Sequence, residues 1–172
     1  FIADISPLVE LTPTVLAKDV YLFNIEPKVK WVSNTTPNYA STNFNGRSEP
    51  RGSTIYYYLK SDSKEDVKIS IYRGNLLINE LKGSKKAGLN KVLWNWTIKV
   101  KRTPEEKKQV KAKIKRYKQY GFTPRGPQFD VNYKYIPAPE GEYTVVLQVG
   151  DHVLKKTARI LQDYWFQPNI NR

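Results

Sequence analysis

AGLNKVLWNWTI, residues 87–98, is the stretch on which the reading of the fold turns. It opens with a turn, Ala87-Gly88-Leu89-Asn90, and runs on as an alternating strand. Strand side chains have a period of two, so Val92, Trp94 and Trp96 are expected on one face and Leu93, Asn95 and Thr97 on the other. Two of the four tryptophans of the chain would then stand side by side. Aromatic side chains dominate core burial, which favours a core strand of a β-sandwich. The alternative is an exposed platform that stacks a sugar or a base, for which Trp31, Trp94, Trp96 and Trp165 are the candidates.

Working outward, the flanking segments also read as strands. Residues 54–60, TIYYYLK, alternate Ile55, Tyr57 and Leu59 with Tyr56, Tyr58 and Lys60. Residues 66–73, DVKISIYR, alternate Val67, Ile69 and Ile71 with Lys68, Ser70 and Tyr72. Arg73-Gly74-Asn75 makes a tight turn in which glycine supplies a positive φ, and residues 76–81 return as the hairpin partner. Residues 142–149, EYTVVLQV, turn at Gly150-Asp151 and pair with 153–161. Residues 19–25, DVYLFNI, form a further strand, and 29–32 continue as a short extended piece. Residues 1–5 read as a strand ending at Ser6-Pro7, and 11–15 as a turn. Residues 33–53 are rich in Asn, Ser, Thr, Pro and Gly and read as a long loop.

The pattern changes after the tryptophans. Thr103-Pro104-Glu105-Glu106 is a capping box with proline at the first helical position. The helix it opens should run over about 104–120 and stop at Gly121. Its acids lie in the first turn, and seven bases follow: Lys107, Lys108, Lys111, Lys113, Lys115, Arg116 and Lys118. That order suits the helix dipole. Its apolar face is thin, Val110, Ile114 and Tyr117 at i, i+4 and i+7, enough to anchor one flank. Residues 122–139 are irregular and proline-rich, with a short edge strand over 130–136.

Composition bounds the rest. The chain has 172 residues, 29 basic against 16 acidic, a net charge of +13, no cysteine and no methionine. Thiol nucleophiles, disulfides and thiolate metal sites are excluded. Beginning at Phe1 with no signal-peptide pattern, the chain is expected to be a piece of something longer. No run approaches the ~20 apolar residues of a membrane helix. The positive charge permits attraction to nucleic acid, anionic lipid or acidic glycan and is silent on fold.

Three ordered motifs carry a resemblance: Gly52-Ser53-Thr54-Ile55-Tyr56-Tyr57-Tyr58-Leu59 followed by Val67-Lys68-Ile69-Ser70-Ile71-Tyr72; Ala87-Gly88-Leu89-Asn90 with Val92-Leu93-Trp94-Asn95; and Pro139-Glu140-Gly141-Glu142-Tyr143-Thr144-Val145. Together they resemble the immunoglobulin-like (Ig-like) domain of the flagellar hook-capping protein type. They are more closely similar to the C-terminal sandwich that follows BNR-repeat, sortilin-type β-propellers in secreted bacterial proteins. The resemblance spans residues 1–60, 66–98 and 139–161. It implies that 1–18 end a preceding propeller-like domain, that 19–161 form the sandwich, and that 162–172 are a tail. It also implies a secreted, periplasmic or cell-surface location. Glu140-Gly141 stands where the family has Pro-Gly, and Asn95 where it has an acid. The insertion 99–137 is longer and more basic than the family pattern, so no role carries over to it. The glycosidase or sialidase activity sometimes assigned to the family belongs to the propeller.

No catalytic constellation emerges. His152 sits beside a hairpin turn with no nucleophile or orienting group proposed around it. Asp62, Glu65 and Asp66 are explained by a polar turn, and no metal-ligand spacing is present. The expected fold is therefore mainly β, an antiparallel Ig-like sandwich of about eight strands with one inserted basic helix. The expected function is a non-catalytic accessory domain, with no cofactor. Its candidate interaction surface is Lys107, Lys108, Lys111, Lys115, Arg116 and Lys118. The partners expected are another protein, another domain of the same chain, or an anionic glycan. Nucleic acid is the least favoured, since Gln109 and Gln119 alone offer base readout. The alternatives are a carbohydrate-binding module using exposed tryptophans, or a structural part of a glycosidase- or peptidase-like propeller protein whose active site lies elsewhere.

Overall fold

The computed structural model describes residues 6–31 and 50–164. The expected strand at 1–5, most of the loop at 33–53 and Trp165 lie outside the described residues. Two short helices come first, α1 (Ser6–Glu10) and α2 (Pro13–Leu16). Residues 11–15 are thus not a plain turn. Thr12 caps α2 by accepting from Val15 N, with Pro13 at the first helical position. Glu10 ties this segment to the body, accepting from Tyr21 Oη at 3.2 Å and from Asn24 N at 3.1 Å.

Ten strands follow among the described residues, against about eight expected: β1 (Val20–Leu22), β2 (Lys28–Lys30), β3 (Ser53–Leu59), β4 (Val67–Arg73), β5 (Leu76–Lys82), β6 (Gly88–Trp94), β7 (Thr97–Lys101), β8 (Tyr133–Pro137), β9 (Gly141–Val149) and β10 (His152–Gln162). They form a three-stranded sheet in the order β1-β3-β6, a five-stranded sheet in the order β2-β10-β9-β4-β5, and a β7-β8 pair. The arrangement is not wholly antiparallel. β2 runs parallel to β10, pairing Lys28 with Ile160 and Lys30 with Gln162. The turn chemistry explains both hairpins of the larger sheet. Gly74 and Gly150, at φ of 57° and 55°, each open a two-residue turn, a position where a non-glycine residue is strained.

The two larger sheets share one core. β3 buries Ile55, Tyr57 and Leu59 and half-exposes Tyr56 and Tyr58, the alternation its sequence predicts. Val67, Ile69 and Ile71 of β4 and Tyr143, Val145 and Leu147 of β9 meet them from the other side. Each such side chain, fully removed from water, contributes about 1.5–3 kcal/mol. Trp94 and Tyr143 cross between the sheets edge to face, with ring centroids 4.9 Å apart. The acidic turn is structural. Asp62 accepts from Ala87 N at 2.7 Å, and Asp66 pairs with Lys85.

Residues 87–98 correct the opening expectation in one respect. They are not one strand. β6 stops at Trp94 and β7 starts at Thr97, and between them Trp96 adopts a left-handed φ of 53°. The indoles are both buried, Trp94 completely and Trp96 to 7% exposure, yet not as neighbours on one strand face. The physical reason is topological: here the chain leaves the three-stranded sheet for the β7-β8 hairpin.

Candidate interaction surface

The excursion starts from a tightly bonded base. Trp94 Nε1 donates to Thr97 O at 3.1 Å, and the buried Asn79 amide donates to the same carbonyl at 2.9 Å. Trp96 Nε1 donates to the buried Ser53 Oγ at 2.9 Å. Ala138 N closes the base from the returning strand, donating to Trp96 O at 2.7 Å. Gly52 lets the chain pass this point, because a Cβ there would lie 2.4 Å from Trp94 O. From this base β7 and β8 run out antiparallel, Thr97 opposite Pro137 and Lys101 opposite Tyr133. They hold helix α3 (Pro104–Gln119) between them in sequence.

The ends of α3 are closed as the sequence predicts. Thr103 Oγ1 accepts from Glu106 N, and Glu106 Oε2 accepts from Thr103 N at 2.9 Å, a complete capping box. At the other end Gly121 takes φ 77°. Gly121 N donates to Lys118 O and Phe122 N to Tyr117 O, the two bonds of a Schellman turn. The accompanying apolar contact is also present, Phe122 on Tyr117 at 6.3 Å between centroids.

Three contacts dock the helix on the returning chain. Tyr117 meets Phe129, in a short 3-10 turn (Pro127–Phe129), edge to face at 5.1 Å. Lys113 Nζ stands 5.4 Å from the same ring. Lys134 of β8 bonds Glu106 at 2.5 Å. That lysine bond, with the Thr103 amide and the charges of Lys134 and Arg102 behind it, holds the Glu106 carboxyl below its ordinary range. Arg102 donates through Nε to the carbonyls of Asp130 and Tyr133, pinning the hairpin end. Burial pushes the Asp130 carboxyl up, and the Asn132 and Tyr133 amides with the Tyr135 hydroxyl outweigh it, leaving the group below its usual range.

The six cations singled out from the sequence lie on this helix. Lys107 is half-buried; Lys108, Lys111, Lys115, Arg116 and Lys118 are exposed. Among the described residues none has a carboxylate within ion-pair distance. Lys107, Lys111, Lys115 and Lys118 recur at i, i+4, i+8 and i+11 and so make one stripe, about 16 Å long at 1.5 Å per residue. Arg116 falls on the other flank with Lys113. There Lys113, Arg116, Tyr117, Tyr120 and Phe122 line an open groove of about 690 Å³. The sequence reading missed this groove. Tyr120 and Phe122 read as the end of a helix and the start of a loop, and the Schellman turn is what folds Phe122 back beside Tyr117.

The stacking candidates divide unevenly. Trp94 is wholly buried, whereas Trp31, 58% exposed, and Trp96, 7% exposed, both line a small pocket of about 260 Å³ with Pro50, Arg51 and Gly52. A larger cleft, about 760 Å³, opens where the arm meets the edge strand β5; Asn79, Leu93, Asn95, Lys99, Arg102 and Gln128 are among its walls. His152 is exposed at a hairpin end, and among the described residues no group of His, Cys, Asp or Glu is placed to hold a metal. No helix among them is long and apolar enough to cross a membrane. The chain matches no protein-family model, no curated protein and no solved structure.

Proposed function

We propose that this chain is a non-catalytic interaction module that docks through α3 to an anionic partner. The observation that carries the reading is the row of solvent-facing cations without carboxylate partners, on a helix fixed at both ends and at its base. Electrostatic complementarity of this kind steers encounter and fixes register. An Ig-like sandwich is the body that best accounts for the strands. The order β1-β3-β6 against β10-β9-β4-β5 matches A-B-E against G-F-C-C′, with β2 added as a fifth strand parallel to the G-equivalent β10. Tyr143, near the start of the F-equivalent strand, donates to Pro139 O at 2.5 Å, as a tyrosine corner does. In that frame the arm is an insertion in the E–F connection. The resemblance to propeller-associated sandwiches would make the partner another protein, or another domain, at a bacterial cell surface.

The test is capture of partners from native membranes and envelope extract by the wild type and by Lys107→Glu/Lys111→Glu/Lys115→Glu/Lys118→Glu. The wild type is expected to retain partners that the variant, folded by circular dichroism, releases. Equal recovery by both would end the reading. A second reading, glycan binding, is favoured by the amide-lined cleft at the arm's base. Retardation of the wild type in polysaccharide-containing native gels, lost in Asn95→Ala/Gln128→Ala, supports it, and unchanged mobility opposes it.

A further inference from the structure

The groove at the C-terminal end of α3 adds something the lysine stripe does not explain. Tyr120 is 66% and Phe122 65% exposed, and Tyr117 is exposed beside them. Three large aromatic side chains lining one open groove are unusual for a helix whose other exposed positions are charged, polar or small. Two cations flank them: Lys113 and Arg116 line the same groove. Part of the backbone at this end is satisfied, since the carbonyls of Arg116, Tyr117 and Lys118 accept intramolecular bonds. Those three carbonyls stay paired in a medium poorer in water.

We infer that Tyr117, Tyr120 and Phe122, with Lys113 and Arg116, form a contact site for an anionic lipid surface. The inference goes beyond the docking reading above: it concerns the flank of α3 away from the lysine stripe and a second, lipid partner. Aromatic rings suit the headgroup zone, where the apolar body and polar tip of tyrosine are both accommodated. Lysine and arginine beside them meet the lipid phosphates. An acidic glycan also stacks on exposed rings, and vesicle binding is what separates the two occupants. A sheet-adding peptide finds no open backbone edge on a helix whose end is closed by a Schellman turn. An anionic bilayer engages the rings and the cations at once, in the manner of interfacial helices.

The experiment is co-sedimentation of the full chain with phosphatidylglycerol–phosphatidylcholine vesicles and with phosphatidylcholine vesicles alone, at low and at physiological salt. Binding is expected only to the anionic vesicles. Lys113→Gln/Arg116→Gln should weaken it by about 25-fold, roughly fivefold per cation. Tyr120→Ser/Phe122→Ser, which keeps every charge, should weaken it on the order of tenfold and abolish what persists at physiological salt. Both variants alter exposed side chains, and circular dichroism verifies their fold. Equal binding to both vesicle types, or full binding by the aromatic variant, overturns the lipid assignment. If vesicles fail to bind while charge-dependent capture of a protein persists, the lipid site is refuted and the docking reading stands. If neither occurs, both fall.

Discussion

Replacing Trp96 tests how the arm is anchored, because two opposing effects meet at one residue. The indole is 7% exposed and donates to a fully buried serine hydroxyl. Truncating a buried tryptophan to alanine costs about 3–5 kcal/mol, and losing the bond to Ser53 falls within that figure. Trp96 also sits at φ 53°, where any residue with a Cβ carries about 1–2 kcal/mol of strain. Alanine keeps that strain and glycine removes it. Glycine in turn costs about 0.5–1 kcal/mol in the entropy of the unfolded chain. Trp96→Gly should therefore be more stable than Trp96→Ala by about 0.5–1 kcal/mol, the reverse of the order in regular structure. Urea unfolding reads this directly. With a slope of about 2 kcal/mol/M, Trp96→Ala should lower the midpoint by about 2 M, and Trp96→Gly should recover a few tenths of that. If glycine proves no better than alanine, the left-handed turn is not the strained hinge described here. If alanine costs under about 1 kcal/mol, the indole is not the anchor.

Tyr143→Phe removes the hydroxyl that holds Pro139 at the returning end of the arm, and should cost about 1–2 kcal/mol in urea unfolding; a neutral result would remove one support of the Ig-like reading. Glu106 is held below the ordinary glutamate range by Lys134 and the Thr103 amide. A carboxyl depressed in the folded state adds stability above its unfolded pKa and loses it as pH falls through the folded value. Helical ellipticity should thus persist as pH drops through the ordinary glutamate range and decline below it, and Lys134→Gln should move that decline to higher pH. Thermal unfolding of α3, followed by the same signal, should shift upward with added salt, since like-charge pairs such as Lys107/Lys111 and Lys111/Lys115 each cost about 0.2–0.5 kcal/mol; a downward shift would mean the stripe is already neutralised within the chain.

Much of the fold is legible where local chemistry decides it. The alternation in β3, β4 and β9 matches burial because period-two patterning fixes the face. The capping box at Thr103 and the stop at Gly121 are short-range signals that need no tertiary context. Thr12-Pro13 carries the same cap-and-proline signal on a smaller scale, but one helical turn is too short for periodicity to tell it from a plain turn. What could not be read depends on distant residues. The parallel pairing of β2 with β10 joins Lys28 to Ile160, and nothing in either segment specifies the other. The break at Trp96 was hidden because WNWT alternates perfectly, while its left-handed φ is imposed by Ser53 and Ala138 from elsewhere in the chain. On the candidate surface, the exposure of the lysines follows from a thin apolar stripe. The aromatic groove does not, because it depends on the turn after Gly121 and on Phe129 coming back beneath Tyr117.

The same details bear on why the charge sits on an arm of this construction. A helix of this length with few apolar anchors and a row of mutually repelling lysines is marginal in isolation. Here the deficit is met locally, by the capping box, the Schellman turn, the Lys134 bond and the Tyr117–Phe129 contact, and at the base by the Trp96–Ser53 and Ala138–Trp96 bonds. None of these contacts uses the stripe cations. Binding an anion therefore requires no rearrangement of the helix, and much of the ordering cost that weakens a flexible basic tail has already been met by folding. A disordered segment of equal charge would attract the same partner, but it would lack the fixed 16 Å row at ~1.5 Å per residue and the aromatic groove beside it. The two indoles contribute indirectly: through their bonds to Thr97 O and Ser53 Oγ, Trp94 and Trp96 fix the base from which the row of cations projects.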